Sequence, residues 1–158
     1  MSQNSAAIRR LKKDYRAIQR NPVDNITVYY DPQDIFTWYF LIKINEEPYI
    51  NGEYIGKLLF PTDFPQSPPG IMILTPNGRF ETNKRICMSL SDFHPESWSC
   101  IWTVSAVLKG IYSFWWDNDK TSIGTVRTPC NETKTKYAQS SKNYNSNLDI
   151  YQKFINSE

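Results

Sequence analysis

Between residues 60 and 98 the sequence places a thiol, an amide and an imidazole on backbone too rich in turn formers for helix or long strand. Cys87 lies in Arg85-Ile86-Cys87-Met88, ten residues after Asn77 in Thr75-Pro76-Asn77-Gly78-Arg79-Phe80, and seven before His94, the chain's one histidine. Upstream, Phe60-Pro61-Thr62-Asp63-Phe64-Pro65-Gln66-Ser67-Pro68-Pro69 holds four of the ten prolines within nine residues. A thiol on braced, irregular backbone beside an amide suits acyl-thioester chemistry. The sulphur acts as nucleophile, and the amide steadies charge on the tetrahedral intermediate. Each residue also has a plainer reading: Cys87 as a small buried hydrophobe, Asn77 as the centre of a Pro-Asn-Gly turn, His94 as a solvated loop residue. Arg79, Lys84 and Arg85 lie close in sequence and would raise the thiolate fraction modestly.

In their order and spacing these runs resemble the ubiquitin-conjugating enzymes. Tyr49, Gly52 and Tyr54 at a strand entry, the 60–69 run, Cys87 and Trp98 match the family as a whole. The 75–80 run and Asp92-Phe93-His94-Pro95-Glu96-Ser97-Trp98 resemble its tail-anchored branch of the endoplasmic reticulum membrane. The resemblance implies that Cys87 accepts activated ubiquitin, with Asn77 as oxyanion partner. The family's usual His-Pro-Asn has Thr75 in its first place here, and Asn77 stands farther from the cysteine than usual. That leaves open whether Asn77 reaches the thioester or props the loop. The branch is credited with Ser and Thr acceptors beside Lys, and a hydroxyl proton is much harder to remove than an amine's. On that ground His94, with Asp92, is expected to act as a base.

The same resemblance implies a set of partners: ubiquitin, the activating enzyme, a RING-type ligase and protein substrates. Arg9, Arg10, Lys12 and Lys13 on the first helix are expected to face the activating enzyme. Phe64, Gln66, Ser99 and Cys100 are expected to face the ligase. Lys109 and Ser113, off the apolar stripe of a later helix, are expected to meet the thioester-linked ubiquitin. Solvated charge and loop packing are the plainer readings of all these positions. Asp117 and Asp119 read as solvated helix-end charges rather than as acids orienting a lysine.

No metal or organic cofactor is expected, ATP being consumed by the activating enzyme. Residues 52–57 have the outline of a phosphate loop but lack one spacer and the final hydroxyl. Cys87, His94, Cys100 and Cys130 are zinc-type ligands at spacings that fit no compact pattern. A cysteine hydrolase built on Cys87 and His94 lacks a third, orienting group at a recognisable spacing. The alternative within the family is a catalytically inactive ubiquitin-binding variant, against which the cysteine itself counts.

The elements that must position these groups follow from periodicity. Ile8, Leu11, Tyr15 and Ile18 predict an amphipathic helix over 4–20, ended by Asn21-Pro22. Strands are expected at about 26–30, 35–44, 53–60 and 70–74, joined by short turns that favour an antiparallel meander. Residues 75–102 read as mostly irregular. Val104, Val107, Leu108, Ile111 and Trp115 predict a helix over 103–116 starting at Thr103. Polar helices follow near 131–144 and 148–157, the latter with Leu148, Tyr151, Phe154 and Ile155 on one face. The layout is α+β, one domain over 1–158.

Composition agrees with a folded domain: 158 residues, 40% hydrophobic and 15% aromatic. Net charge is +2, which argues against nucleic acid as a default partner. The charge is uneven, with +5 over residues 9–20 and −3 over the remainder. Three cysteines without regular spacing, and no secretory leader, point to a reducing compartment. No run approaches the length of a membrane span. The tail anchor of the branch would lie beyond Glu158. The expected location is the cytosolic face of the endoplasmic reticulum membrane with such an anchor, and cytoplasmic without one.

Overall fold

The computed structural model describes residues 2–88, 91–92, 95–117, 121–127 and 130–156, with side chains from Asn4 onward. Its order is α1 (Ser2–Arg20), β1 (Ile26–Asp31), β2 (Asp34–Ile44), β3 (Gly52–Leu59), β4 (Gly70–Ile73), a 3-10 turn (Pro95–Ser97), α2 (Val104–Trp115), α3 (Asn131–Asn145) and α4 (Tyr151–Ile155). The strands form a four-stranded antiparallel meander in sequence order, as the short turns require. Registers such as Tyr29 with Tyr39, Phe40 with Gly56 and Leu58 with Ile71 sort the side chains onto two faces.

One face carries the main core. Val28, Trp38, Phe40, Ile42, Ile44, Leu58 and Ile71 meet the buried side of α1 (Ala7, Leu11, Ile18) and the stripe of α2 (Val104, Val107, Leu108, Ile111, Trp115). The other face holds a smaller cluster, where Leu41 and Ile55 pack on Tyr151 and Phe154 of α4, flanked by Tyr29, Tyr39, Leu74 and Leu148. The last helix is shorter than its apolar pattern predicts. Leu148 and Ile150 pack from the turn before it, and Ile155 points outward at 44% exposure.

Two side chains start α2. Thr103, the expected first residue, is its N-cap, and its Oγ1 accepts the Ala106 amide at 3.1 Å. Asp14, buried in α1 at 5% exposure, accepts the Val104 amide at 3.0 Å through Oδ2. These bonds satisfy two of the amides that a helix start leaves unpaired, and a carboxylate there also suits the helix dipole.

Candidate active site

Cys87 is half-buried, between Ile86 at 0% and Met88 at 6% exposure, so its neighbours anchor in the core while Cys87 itself keeps partial access to solvent. Its backbone is fastened on both sides. Ile86 N–H donates to Ile71 O (2.9 Å) on β4, and Cys87 N–H donates to Ile123 O (2.8 Å) on the segment after α2. Ser91 then clamps the following residue: Met88 N–H donates to Ser91 Oγ (3.1 Å), and that hydroxyl donates back to Met88 O (2.9 Å). The 121–127 segment comes this close only because residue 124 is glycine. Gly124 has φ +88°, and a Cβ there would lie 2.8 Å from Arg85 O and 2.9 Å from Ile86 Cα.

Asn77 is buried at 1% exposure and struts its own turn. Its Oδ1 accepts the amides of Arg79 (2.8 Å) and Phe80 (2.7 Å), and its Nδ2 donates to Thr75 O at 2.9 Å. Gly78 at φ +83° makes the turn possible. The turn is joined to the Cys87 strap, since Val126 N–H donates to Arg79 O at 2.9 Å.

The three cations near the thiol in sequence are engaged elsewhere. Arg79 is turned inward at 4% exposure, stacked on Phe80 and Phe114, and donates to Phe114 O at the end of α2. Lys84 pairs with Glu81 at 2.8 Å, and Arg85 forms an ion pair with Asp92. Each of these charges therefore already has an anionic or carbonyl partner. Asp92 meets Arg85 through Oδ2, while its Oδ1 is buried without a hydrogen-bond partner among the described residues.

Next to this site the proline run and the 98–102 loop form one surface. Trp98 Nε1 donates to Pro65 O at 2.7 Å, and its ring packs on Phe64 and Trp102. Arg10 straps the loop to α1: its guanidinium donates to Cys100 O (3.0 Å) and Trp102 O (2.8 Å), pairs with Asp14 (3.2 Å) and covers the Phe64 ring. Outside this packing, Ile101 projects at 79% exposure beside exposed Cys100, and Gln66 is exposed on the proline run.

Three further side chains are electrostatically distinctive. Tyr49 and Tyr54 are buried against Trp115, and desolvation pushes the Tyr49 phenol up to about 12, against the lowering pull of Arg79, and the Tyr54 phenol up as well. Cys130 occupies the N-cap of α3 without a hydrogen bond of capping geometry. The amides of Thr133 and Glu132 nevertheless face its sulphur and hold the exposed thiol below its ordinary range.

Comparison with known proteins accounts for this arrangement. A family model described as "Ubiquitin-conjugating enzyme" matches residues 10–152. The chain belongs to the ubiquitin-conjugating enzyme family. It is 44% identical over 151 residues to "Probable ubiquitin-conjugating enzyme E2 33" of Arabidopsis thaliana, covering 95% of this chain and 61% of that protein. It is 42% identical over 147 residues to "Ubiquitin-conjugating enzyme E2 J2" of Mus musculus, covering 89% of this chain and 56% of that one. The chain thus spans about three fifths of the length of these relatives. Among solved structures, human ubiquitin-conjugating enzyme E2 G1 superposes with a TM-score of 0.62 at 25% identity, covering 72% of this chain and 97% of that one.

With the family established, most of the expected site residues have a place among the described ones. Cys87 and Asn77 belong to one braced unit, connected through the 123–126 strap. His94 and Asp119 lie outside the described residues. Arg9, Lys12 and Lys13 are exposed on α1, as a docking face requires. Arg10 is a correction: its charge is turned onto the 98–102 loop. Phe64 is another, since at 1% exposure beneath Arg10 and Trp98 it presents no side chain to a partner. Gln66 and Cys100 are exposed and Ser99 is half-buried. Lys109 and Ser113 are exposed on α2. Sequence reasoning missed Ser91, Asp14 and Gly124. A lone Ser, the one acid in a basic helix and a Gly between turns carry no signal of the distant backbone each one meets.

Proposed function

We propose that this domain accepts ubiquitin as a thioester on Cys87 and, with a RING-type ligase, passes it to lysine or to Ser and Thr hydroxyls of protein substrates. The observation that carries the reading is a half-buried cysteine between two core-anchored neighbours, its backbone fixed on both sides, within this family's fold. Loading is a thioester exchange. The Cys87 sulphur attacks the C-terminal carbonyl of ubiquitin on the activating enzyme, one C–S bond replaces another, and the departing sulphur takes the proton that Cys87 gave up. Such an exchange is nearly isoenergetic, so a strongly stabilised thiolate would be of no use and would attack more slowly. In discharge, an acceptor nitrogen or oxygen forms the new bond as the Cys87 C–S bond breaks, and its proton passes to a base or water.

Asn77 keeps the turn in shape and has its second Nδ2 hydrogen to offer the developing oxyanion. His94 is the proposed base for hydroxyl acceptors. Arg9, Lys12 and Lys13 are assigned to the activating enzyme, Gln66, Ser99, Cys100 and exposed Ile101 to the ligase, and Lys109 and Ser113 to the linked ubiquitin. No cofactor of its own enters the scheme, with ATP used by the activating enzyme. By likeness to the E2 J2 relatives we place the activity at the cytosolic face of the endoplasmic reticulum, in degradation of its proteins.

The test is loading with activating enzyme, ATP and ubiquitin, read on a non-reducing gel. The parent should give a thiol-labile adduct, Cys87→Ser a thiol-resistant one or none, and Cys87→Ala none. A parent that never loads would favour an inactive ubiquitin-binding variant. Discharge of loaded His94→Ala onto free serine and free lysine tests the base: serine transfer should fall more, and equal losses would remove His94 from that role.

A further inference from the structure

Where β4 ends at Ile73, the next backbone groups of β3 are completed by side chains of α3 and of Thr75. Glu53 N–H donates to Ser141 Oγ (2.9 Å), Glu53 O accepts from Asn145 Nδ2 (2.8 Å), and Ile55 N–H donates to Thr75 Oγ1 (2.9 Å). Thr75 Oγ1 in turn donates to Asn145 Oδ1 at 2.6 Å. The Glu53 carboxylate accepts Tyr151 Oη at 2.9 Å and lies 3.7 Å from Lys142 Nζ. Thr75 and Asn145 are both fully buried, so each bond they make replaces one to water, and loss of either partner strands a polar group on the other.

The knot reaches the candidate active site through consecutive bonds. Thr75 O accepts from Asn77 Nδ2, Asn77 Oδ1 holds the Arg79 and Phe80 amides, Arg79 O accepts from Val126, and Ile123 O accepts from Cys87. The Thr75 hydroxyl has its donor and its acceptor both used, so its orientation is fixed, and with it the carbonyl on which Asn77 rests. Thr75 occupies the first place of the three-residue turn, where its short side chain fits between β3 and the end of α3.

We propose that Asn145, acting through Thr75, is a positioning residue for discharge of the Cys87 thioester, setting the turn that carries Asn77. The proposal rests on the function given above. It assigns a catalytic effect to a residue in the C-terminal helices that need not touch ubiquitin or the acceptor.

The test uses the whole chain with three single variants and one double. Thr75→Val keeps the shape and removes the hydroxyl, Asn145→Ala removes its partner, and Thr75→Ser restores the hydroxyl. Each is loaded with ubiquitin, then discharged onto free lysine over a range of concentrations at a temperature well below its melting midpoint. T75V and N145A should load to the parent's extent yet discharge about tenfold more slowly at saturating lysine with the KM for lysine unchanged, as expected of a turn displaced by a fraction of an ångström. T75S should stay within about twofold of the parent, and T75V/N145A should be no slower than the slower single. T75V discharging at the parent's rate, T75S as slow as T75V, or additive losses would overturn the proposal.

Loading and hydrogen exchange separate this failure from failure of the function itself. The Arg79 and Phe80 amides should exchange faster in T75V and N145A but not in T75S, whether or not the parent loads ubiquitin. Unchanged exchange would overturn the coupling. If valine at 75 prevents folding, the milder Asn145→Ser is read in the same assays by the same criteria.

Discussion

Replacing Arg10 with alanine separates a structural cation from a docking one. The change deletes the ion pair to Asp14 and the hydrogen bonds to the Cys100 and Trp102 carbonyls. Charge-assisted bonds of this kind contribute about 1.5–3 kcal/mol each when sheltered. The Arg10 side chain is 21% exposed, so water can take over part of each contact at the carbonyls. Asp14, at 6% side-chain exposure, loses its cation and keeps the Val104 amide. Taken together we expect a loss of about 2–3 kcal/mol, well short of the simple sum. For a domain of this size that lowers the melting midpoint by roughly 4–12 °C. The assay is thermal unfolding of Arg10→Ala, Asp14→Asn and the double variant, with loading measured at 20 °C. The double variant should be more stable than the summed losses of the singles allow, by about 1 kcal/mol or more, because a neutral amide in place of the Asp14 carboxylate no longer needs the cation. Loading of folded Arg10→Ala should match the parent. A midpoint within about 1 °C of the parent combined with slowed loading would refute the reasoning and return Arg10 to the docking face.

Lys12→Glu/Lys13→Glu should show the reverse pattern: stability within about 0.5 kcal/mol of the parent by thermal melt, with loading slowed several-fold and more so at low salt. Gly124→Ala should cost about 1–3 kcal/mol for its backbone conformation alone, and because the strap then lifts from Ile86, loading on the gel should fall with it. The Tyr54 hydroxyl and Trp115 Nε1 are buried without a hydrogen-bond partner among the described residues, so Tyr54→Phe should raise stability by about 1 kcal/mol in denaturant titration. The same phenols set an alkaline limit. Below pH 10 both folded and unfolded chains keep these protons. Above it the unfolded chain releases them first, so stability falls as pH rises from 10 towards about 12 for Tyr49, and Tyr49→Phe should flatten that slope. Cys130 should alkylate faster than Cys100 near neutral pH, measured by peptide mapping, and equal rates would count against the pull of the α3 amides.

What periodicity governs was legible in the sequence. The apolar spacing in α1 and α2, the Thr103 cap, the four strands and their short turns are local signals, and the structure follows them closely. Residues whose partners lie far along the chain were not. Arg10 looked like its exposed neighbours Arg9 and Lys12, and only the fold brings it to carbonyls 90 and 92 residues away. Phe64 sits in a surface loop by composition, yet the Trp98 ring and the Arg10 guanidinium close over it. Arg79 and Arg85 stood near the thiol in number, but nothing local announced that Phe114 and Asp92 would be their partners. Asn145 stands in an Asn- and Ser-rich stretch, where nothing local distinguishes a solvated amide from one inserted at a strand edge.

The completion of β3 by α3 has a consequence for how the molecule comes into being. A chain grows from its amino end and folds as its pieces emerge, so the meander of adjacent strands can assemble early from near neighbours. Asn145 arrives 70 residues after Thr75 and 92 after Glu53, among the last parts of the domain to be made. Until then the turn before the thiol lacks its final tether. On the proposed role of Asn145, the order of synthesis withholds a finished turn from every nascent copy until α3 has been made.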